Sequence, residues 1–211
     1  MVSRSIFPDF ITVDGAEGGT GAAPLEFANS VGTPLNEGLA FIHDSLVGFG
    51  IRQHIRVIAS GKVFTSFHLL TKIALGADMV NSARGMMLAL GCIHALLCNT
   101  NRCPVGVATN DPNLANGLHI PDKSERVARF HSETIHALAE VLGAMGYDHT
   151  SQIRRIDINR RDTDGKVSTY EELFPSVAKE SMLYHTTFEQ LSAEIKQAIQ
   201  TSTADSFKRV S

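Results

Sequence analysis

Three short apolar runs separated by helix-like stretches constrain the fold of this chain more than any other feature of its sequence. FITVD at residues 10–14, IRVIAS at 55–60 and ADMVNS at 77–82 are rich in β-branched residues, which is typical of buried parallel strands. The stretches between them, 36–49 and 64–76, repeat apolar residues at close to the helical period. This alternation of strands and helices predicts an α/β fold with right-handed crossovers.

The number of strands limits which α/β fold these units can build. An eight-stranded β/α barrel typically takes about 250 residues. This chain has 211 residues, and its three strand units all lie before residue 90. The sheet is therefore either small and open, or it is part of a barrel whose other strands lie upstream of residue 10.

The second half of the chain has a different pattern. Residues 122–146 carry the single apolar stripe of a long helix, which begins after Pro121 and ends near two glycines. A charged stretch with a DTDG turn at 162–165 follows, and then a shorter amphipathic segment at 188–199. We interpret these parts as appendages packed on the α/β unit.

These patterns divide the chain into three parts. We expect residues 1–110 to form the α/β unit and residues 111–200 to form a helical C-terminal extension. The polar residues 201–211 are expected to be a disordered tail.

Composition excludes several classes of partner. The net charge is -3 and the pI is about 6.3, and lysine and arginine form no sustained run. We therefore expect neither nucleic acid nor an acidic membrane surface as a partner. The N-terminal residues lack the apolar segment of a signal peptide, and no apolar run approaches the roughly 20 residues that span a bilayer. A cytoplasmic protein is expected.

Glycine-rich loops follow the predicted strands. GAEGGTGAAP, at residues 15–24, is either a ligand-binding loop for phosphate or a cofactor, or a flexible turn. ASGK and NSARG follow the next two strands and place Gly61, Lys62, Arg84 and Gly85 in equivalent positions. Either cation alone would be an ordinary surface charge. Their parallel placement at the ligand-binding end of an α/β sheet predicts a phosphate site.

All three cysteines lie in CIHALLCNTNRC, at residues 92–103, with the spacing C-x5-C-x4-C. An odd number of cysteines in a cytoplasmic chain argues against a disulfide framework. The spacing fits zinc poorly, although His94 or His119 would complete a ligand set. Three thiolates suit an iron–sulfur cluster that lacks one iron of the four-iron form. The remaining alternative is that Cys92 and Cys98 are small core residues of an apolar helix.

Three blocks of the sequence together resemble the FMN-binding barrel of the glutamate synthase family, in particular its stand-alone members. They are ITVDGAEGGTGAAP, IASGK and ALGADMVNSARGMMLALGCIHALLCNTNRCPVGVATNDP. The resemblance is dense over residues 10–112, looser to about residue 175, and fades in the tail. It implies that the α/β unit is a partial (β/α)8 TIM-type barrel, comprising about strands six to eight, followed by the family's C-terminal extension.

The resemblance also implies two cofactors, FMN and a 3Fe-4S cluster. In that family three cysteines at this spacing bind the cluster, which carries over to Cys92, Cys98 and Cys103. The residues implied in FMN binding are Asp14, Gly15, Gly18, Gly19, Gly61, Lys62, Arg84 and Gly85. Of these, the last four would hold the phosphate, and the others would line the flavin ring together with Glu17. Asp14 has an alternative role as a cap of the following turn.

The chemistry of that family implies an oxidoreductase of glutamate biosynthesis and ammonia assimilation. Its members transfer the amide nitrogen of glutamine to 2-oxoglutarate, and reduced FMN delivers hydride to the resulting 2-iminoglutarate. Glutamine or ammonia would be the nitrogen donor, and the cluster would relay electrons from an electron-donor subunit or another reductant. No catalytic residue of this chain is assigned by the resemblance.

The chain departs from the family pattern upstream of residue 10, where the family's strands one to five and its glutaminase domain would lie. The expectation is a C-terminal half-barrel, either the cluster-carrying half of a split flavin enzyme or a non-catalytic truncated remnant. A zinc-stabilised binding module is a third alternative. A half-barrel exposes a parallel edge and an apolar interior. We therefore expect that the chain by itself neither binds FMN tightly nor makes glutamate.

Overall fold

A computed structural model describes residues 6–17, 21–183 and 193–201 of the chain. Its central element is a parallel sheet of three strands in sequential order, β1 (Phe10–Asp14), β2 (Arg56–Ser60) and β3 (Met79–Asn81). The middle strand pairs with both neighbours, so Thr12 lies opposite Ile58 and Ile58 lies opposite Met79. The prediction of an α/β fold with a parallel sheet is confirmed.

The third strand is shorter than the predicted stretch 77–82, because Asp78 makes a different set of contacts at its start. The Asp78 backbone N–H donates to the carbonyl oxygen of Val57 at 2.8 Å. Its carboxylate accepts from the backbone N–H of Val57 at 2.7 Å and from the Arg52 guanidinium at 2.8 Å. The Asp78 carboxylate thus binds the backbone N–H of Val57 in β2, next to the residues where β2 begins to pair with β3.

Helices connect the strands and continue beyond them. The long helix predicted at residues 122–146 is observed at Ile120–Ala144, so it begins and ends two residues earlier than predicted. No helix within the described ranges is both long enough and apolar enough to cross a membrane. The helices are α1 (Leu25–Asn29), α2 (Leu35–Gly48), α3 (Ser66–Ala74), α4 (Arg84–Leu90), α5 (Pro112–Ala115), α6 (Ile120–Ala144), α7 (Tyr170–Leu173) and α8 (Ala193–Thr201).

Local sequence signals explain where several helices begin and end. Thr65 caps α3, since its side chain accepts a hydrogen bond from the backbone N–H of His68. Thr169 and Glu172 form a capping box at the start of α7, with each side chain accepting from the other residue's backbone N–H. Gly91, at a φ of 100°, ends α4 in the left-handed conformation that glycine adopts without strain.

The region after residue 110 is not entirely helical, which corrects the expectation of a helical extension. Strands β4 (Asn159–Arg161) and β5 (Val167–Thr169) form an antiparallel hairpin around the DTDG turn. Asp162 stabilises this turn by accepting hydrogen bonds from the backbone N–H groups of Asp164 and Lys166.

The two C-terminal expectations fall largely outside the described residues. Of the amphipathic segment predicted at 188–199, residues 188–192 lie outside them and the remainder belongs to α8. Of the predicted tail 201–211, only Thr201, at the end of α8, is described.

The sheet and the later helices share one hydrophobic core. Leu39, Val57 and Leu75 are fully buried between the sheet and its helices, and Leu138 and Leu142 of α6 belong to the same cluster. The core also contains Ile153 and Ile158, which precede the β4–β5 hairpin, and Tyr170, which follows it. The prediction that the long helix and the charged stretch after it pack on the α/β unit is therefore confirmed.

The two faces of the parallel sheet differ sharply in burial. Val57 and Ala59 point from β2 into the core and are 0% exposed. On the opposite face, Phe10 of β1 is 57% exposed and Met79 of β3 is 49% exposed. Helices thus cover one face of the sheet, and the other face presents apolar side chains to solvent.

A buried ion pair joins α2 to the second half of the chain. The Arg155 guanidinium donates to both carboxylate oxygens of Asp44, at 2.7 and 3.0 Å, and to the carbonyl oxygen of Phe174 at 2.7 Å. The exposed fractions of the Arg155 and Asp44 side chains are 4% and 9%. Burial raises the pKa of Asp44, and the two hydrogen bonds from Arg155 oppose that rise.

Candidate functional site

A pocket of about 370 Å3 lies at the carboxyl edge of the parallel sheet. The last residue of each strand lines it: Asp14 from β1, Ser60 from β2 and Asn81 from β3. Parallel strands bring their carboxyl ends to one edge, which is where ligands bind in α/β proteins. The fold thus gathers the three loops that the sequence singled out.

Most of the predicted site residues meet in this pocket. Gly61, Lys62 and Arg84 line it together with Asp14, and so do Cys92 and Cys98. The residues of the predicted phosphate loops and two of the three cysteines are therefore close in space. Gly18 and Gly19 lie outside the described residues.

Two predicted glycines do not line the pocket and have packing roles instead. A Cβ at Gly15 would fall 2.5 Å from the Cβ of Leu35, at the start of α2. A Cβ at Gly85 would fall 2.7 Å from Ser82 Oγ and 3.0 Å from the carbonyl oxygen of Val63. These glycines let the loops after β1 and β3 pack closely on the neighbouring backbone.

Glu17 fixes the glycine-rich loop to helix α2. Its Oε2 accepts a hydrogen bond of 2.7 Å from the backbone N–H of Leu35, the first residue of that helix. A carboxylate at this position satisfies a helix N–H group and is favoured by the helix dipole. Glu17 also lines the pocket, so its carboxylate is a fixed negative group in the pocket wall.

The loop after β2 has a strained backbone at the pocket. Lys62 adopts a φ of 45°, a left-handed conformation that costs a residue with a side chain about 1–3 kcal/mol. Its Nζ donates to Asn29 Oδ1 at the end of α1. This hydrogen bond joins the loop after β2 to the end of α1.

A second lysine is buried and interacts with the carboxylate of Glu17. Lys72 of α3 is 9% exposed and donates to Asn36 Oδ1 of α2. Burial lowers the pKa of Lys72, while the carboxylates of Glu17 and Glu37 raise it. This buried cation lies near the carboxylate that anchors the glycine-rich loop.

The cysteine segment is a loop and not a helix. Helix α4 ends at Leu90, and residues 92–99 have no helical structure. His94 and Leu96 have φ angles of 55° and 56°, which a continuing right-handed helix excludes. The alternative in which Cys92 and Cys98 are core residues of an apolar helix is therefore wrong, and Cys98 is exposed.

Cys103 lies apart from the pocket in a backbone turn. Hydrogen bonds from backbone N–H groups, that of Ala108 above all, lower the pKa of its thiol, and burial acts in the opposite direction. Among the described residues, no three His, Cys, Asp or Glu side chains lie close enough together to hold a metal ion. As folded here, the three cysteines do not form the ligand set of a cluster.

Several pocket residues were not singled out from the sequence. Ser60 and Asn81 line the pocket because they end β2 and β3, so the strand ends themselves were the available signal. Gly21 lines it as the fourth glycine of the first loop. Leu25 and Met87 supply an apolar part of the wall, for which the sequence offered only helical periodicity.

A second cavity, of about 360 Å3, is lined by residues of α2 and α3 and by residues that precede and follow the β4–β5 hairpin. His43, Arg155 and Glu171 are among its lining residues. Burial, and then the charges of Arg52 and Arg155, lower the pKa of His43 to about 4. This ring is therefore neutral at neutral pH and accepts a hydrogen bond of 3.1 Å at Nδ1 from Arg52 Nε.

Comparison with known proteins gives consistent matches. The family described as the conserved region in glutamate synthase matches residues 3–148. The glutamate synthase large subunit-like protein YerD of Bacillus subtilis is 40% identical over 166 residues, which are 79% of this chain and 32% of that protein. The archaeal glutamate synthase [NADPH] of Methanocaldococcus jannaschii is 38% identical over 146 residues, 69% of this chain and 29% of that protein.

A more distant match has a different electron donor in its name. The ferredoxin-dependent glutamate synthase of Antithamnion sp. is 32% identical over 145 residues, 69% of this chain and 9% of that protein. The chain thus spans about a third or less of the length of these curated relatives.

Proposed function

Since this chain belongs to the glutamate synthase family, we propose that the pocket at the carboxyl edge of its sheet binds the phosphate end of FMN. One observation carries this proposal: Lys62 and Arg84, which follow neighbouring strands, line one pocket. Cations that converge at the ligand-binding edge of an α/β sheet suit a phosphate. The volume of about 370 Å3 is within the range of small-molecule sites.

We propose a role for each part of the pocket in holding the flavin. Lys62 and Arg84 donate to the phosphate, and Gly61 lets the backbone approach it closely. Asp14 and Glu17 place carboxylates over the same space, where they orient polar groups of the ligand. Leu25 and Met87 exclude water from its apolar part, which strengthens these polar contacts.

The sheet supports a second proposal, that the α/β unit is about strands six to eight of a (β/α)8 barrel. Its three strands run parallel in sequential order, as neighbouring strands of a barrel do. One face packs on helices, and the other presents Phe10 and Met79, as an inner barrel face would. Residues 1–110 would supply the barrel part and residues 111–200 the extension that shares its core.

The proposed activity is the reduction of 2-iminoglutarate to L-glutamate in glutamate biosynthesis, as part of a glutamate synthase. The nitrogen would come from glutamine or ammonia. When bound, FMN supplies the hydride, and the protein supplies binding, orientation and electrostatics. This chain contributes the phosphate contacts and one wall of the flavin site. The alternatives are a half of a split enzyme and a non-catalytic remnant.

The 3Fe-4S cluster remains a proposal from the spacing of Cys92, Cys98 and Cys103. The backbone N–H groups around Cys103 favour a thiolate, which suits iron–sulfur ligation. Because the three thiols are not gathered in the described residues, cluster binding requires the cysteine loop to rearrange. We assign no electron-transfer step to it.

FMN titration tests the proposed function. The 211-residue chain is titrated alone, and then after co-expression with the part of the Bacillus subtilis relative that its alignment leaves uncovered. We expect weak, phosphate-competed FMN binding by the chain alone, and tight binding with glutamate formation by the completed protein. A remnant would gain neither property on completion.

Substitution of Arg84 tests whether this residue contacts the phosphate or is only a surface charge. In the completed protein, Arg84→Ala should weaken FMN binding by about 1.5–3 kcal/mol, the usual contribution of a hydrogen bond to a charged group. Arg129→Ala is the matched control, because Arg129 lies on the exposed face of α6, paired with Glu125. Equal FMN affinities of the two variants would contradict the proposed phosphate contact.

A further inference from the structure

Two loops from different parts of the fold touch at the wall of the pocket. Gly21 belongs to the glycine-rich loop after β1, and Cys98 belongs to the cysteine loop after α4. A Cβ at position 21 would lie 2.9 Å from Cys98 Sγ and 3.8 Å from Cys98 Cβ. Real Cβ atoms essentially never come within 3.0 Å of a non-bonded heavy atom, so a larger residue at position 21 would force the Cys98 sulfur to move.

The cysteine loop depends on outside contacts for its conformation. Leu96 and His94, both close to Cys98, adopt left-handed φ angles, which cost about 1–3 kcal/mol for each residue with a side chain. Such conformations persist only where the surroundings hold them. The contact with Gly21 is one such support, and it acts directly at Cys98.

We infer that Gly21 is a positioning residue for Cys98. Its missing side chain leaves room for the Cys98 sulfur beside residue 21, and both residues line the pocket. A ligand that fixes Gly21 therefore also fixes Cys98. The contact itself is independent of the proposed function, and only the identity of that ligand, FMN, rests on it.

A disulfide trap tests the contact. The substitution Gly21→Cys is made with Cys92→Ser and Cys103→Ser, so that Cys98 is the remaining native thiol. The Cβ separation of 3.8 Å matches the mean for disulfides, about 3.8 Å. Oxidised glutathione should accept the two electrons and two protons of the thiol pair and link the introduced sulfur to Cys98 within one chain. Peptide mass spectrometry identifies the link.

The matched control is Gly143→Cys in the same background, because a Cβ at Gly143 has no heavy atom within 4 Å. This thiol should be capped by glutathione and should form no link to Cys98. The inference is overturned if Gly21→Cys gives the same products as Gly143→Cys.

The smaller substitution Gly21→Ala provides a second readout. Its methyl group should displace the exposed Cys98 sulfur and change the iodoacetamide alkylation rate of Cys98 about threefold or more, since the reactivity of a thiol depends on its immediate surroundings. Gly38→Ala is the control, because its Cβ would make only ordinary contacts at 3.6 Å with Val13 and 3.8 Å with Thr33. An unchanged alkylation rate in Gly21→Ala would contradict the positioning role.

An experiment with added FMN distinguishes failure of this inference from failure of the proposed function. In the completed protein, saturating FMN should slow alkylation of Cys98 in the wild type and much less in Gly21→Ala. If no variant binds FMN, the proposed function fails, while the disulfide and alkylation results still decide the role of Gly21.

Discussion

His43 should make the folded protein sensitive to mild acid. Its imidazole, which projects from α2, is half-buried against the turn before β3, where a Cβ at Gly76 would fall 2.0 Å from His43 Nδ1. Burial is the main cause of its lowered pKa of about 4, and the charges of Arg52 and Arg155 add to it. Protonation would also remove the acceptor that binds Arg52 Nε.

The direction of the effect follows from the two pKa values. In the unfolded chain the imidazole has its ordinary pKa of about 6.5. Above that pH the ring is neutral in both states, and the pH has no effect through His43. As the pH falls from about 6.5 towards 4, the unfolded state takes up the proton first, so the folded state loses stability. Between about pH 7.5 and 4.5 the loss should be about 2.5 kcal/mol.

Urea unfolding followed by circular dichroism measures this loss. Carboxyl groups also titrate in this range, so the decisive quantity is the difference between the wild type and His43→Gln. The variant lacks the titrating ring and should lose about 2.5 kcal/mol less between the two pH values. His131→Gln, at an exposed position of α6, should behave as the wild type does. If the wild type and His43→Gln lose equal free energy, our account of His43 is wrong.

Three further predictions concern buried contacts and the cysteines. Asp44→Ala should destabilise the fold by about 3–5 kcal/mol in urea unfolding, because it leaves the buried Arg155 unpaired; the joint replacement of both residues by apolar ones should recover most of the loss. Gly76→Ala should lower the melting temperature markedly, because its φ is 105° and the added methyl would overlap His43, whereas Gly143→Ala should not. Anaerobic reconstitution should load about three irons with broad absorption near 400 nm, and Cys98→Ser should abolish it; full iron occupancy in that variant would remove the cluster proposal.

The sequence predicted those parts of the fold that local pattern determines. β-branched runs located β1 and β2 closely, and the apolar stripe located α6, because strand and helix periodicities are local properties. The small residues and cations after the strands predicted that Lys62 and Arg84 would lie close together, and both line one pocket. Parallel strands end at the same edge of a sheet, so the strand assignment was sufficient to place Lys62 and Arg84 near each other.

Other features depend on contacts between distant residues and had no local signal. The short β3 follows from the carboxylate of Asp78 binding the backbone of Val57. The cysteine loop contains an apolar sequence that is compatible with a helix, yet Gly91 ends α4, and Leu96 adopts a left-handed conformation. The contact of Gly21 with Cys98 likewise appears only when the loops after β1 and α4 are folded together.

The ion pair between Asp44 and Arg155 has a consequence for synthesis on the ribosome. The two residues are 111 positions apart in the chain. At about 5–20 residues per second, the ribosome needs between about 6 and 22 s to add Arg155 after Asp44. During that interval helix α2 cannot bury Asp44 at its final position without leaving its charge unpaired. Burial of Asp44 at its final position is therefore expected only after Arg155 has left the ribosome.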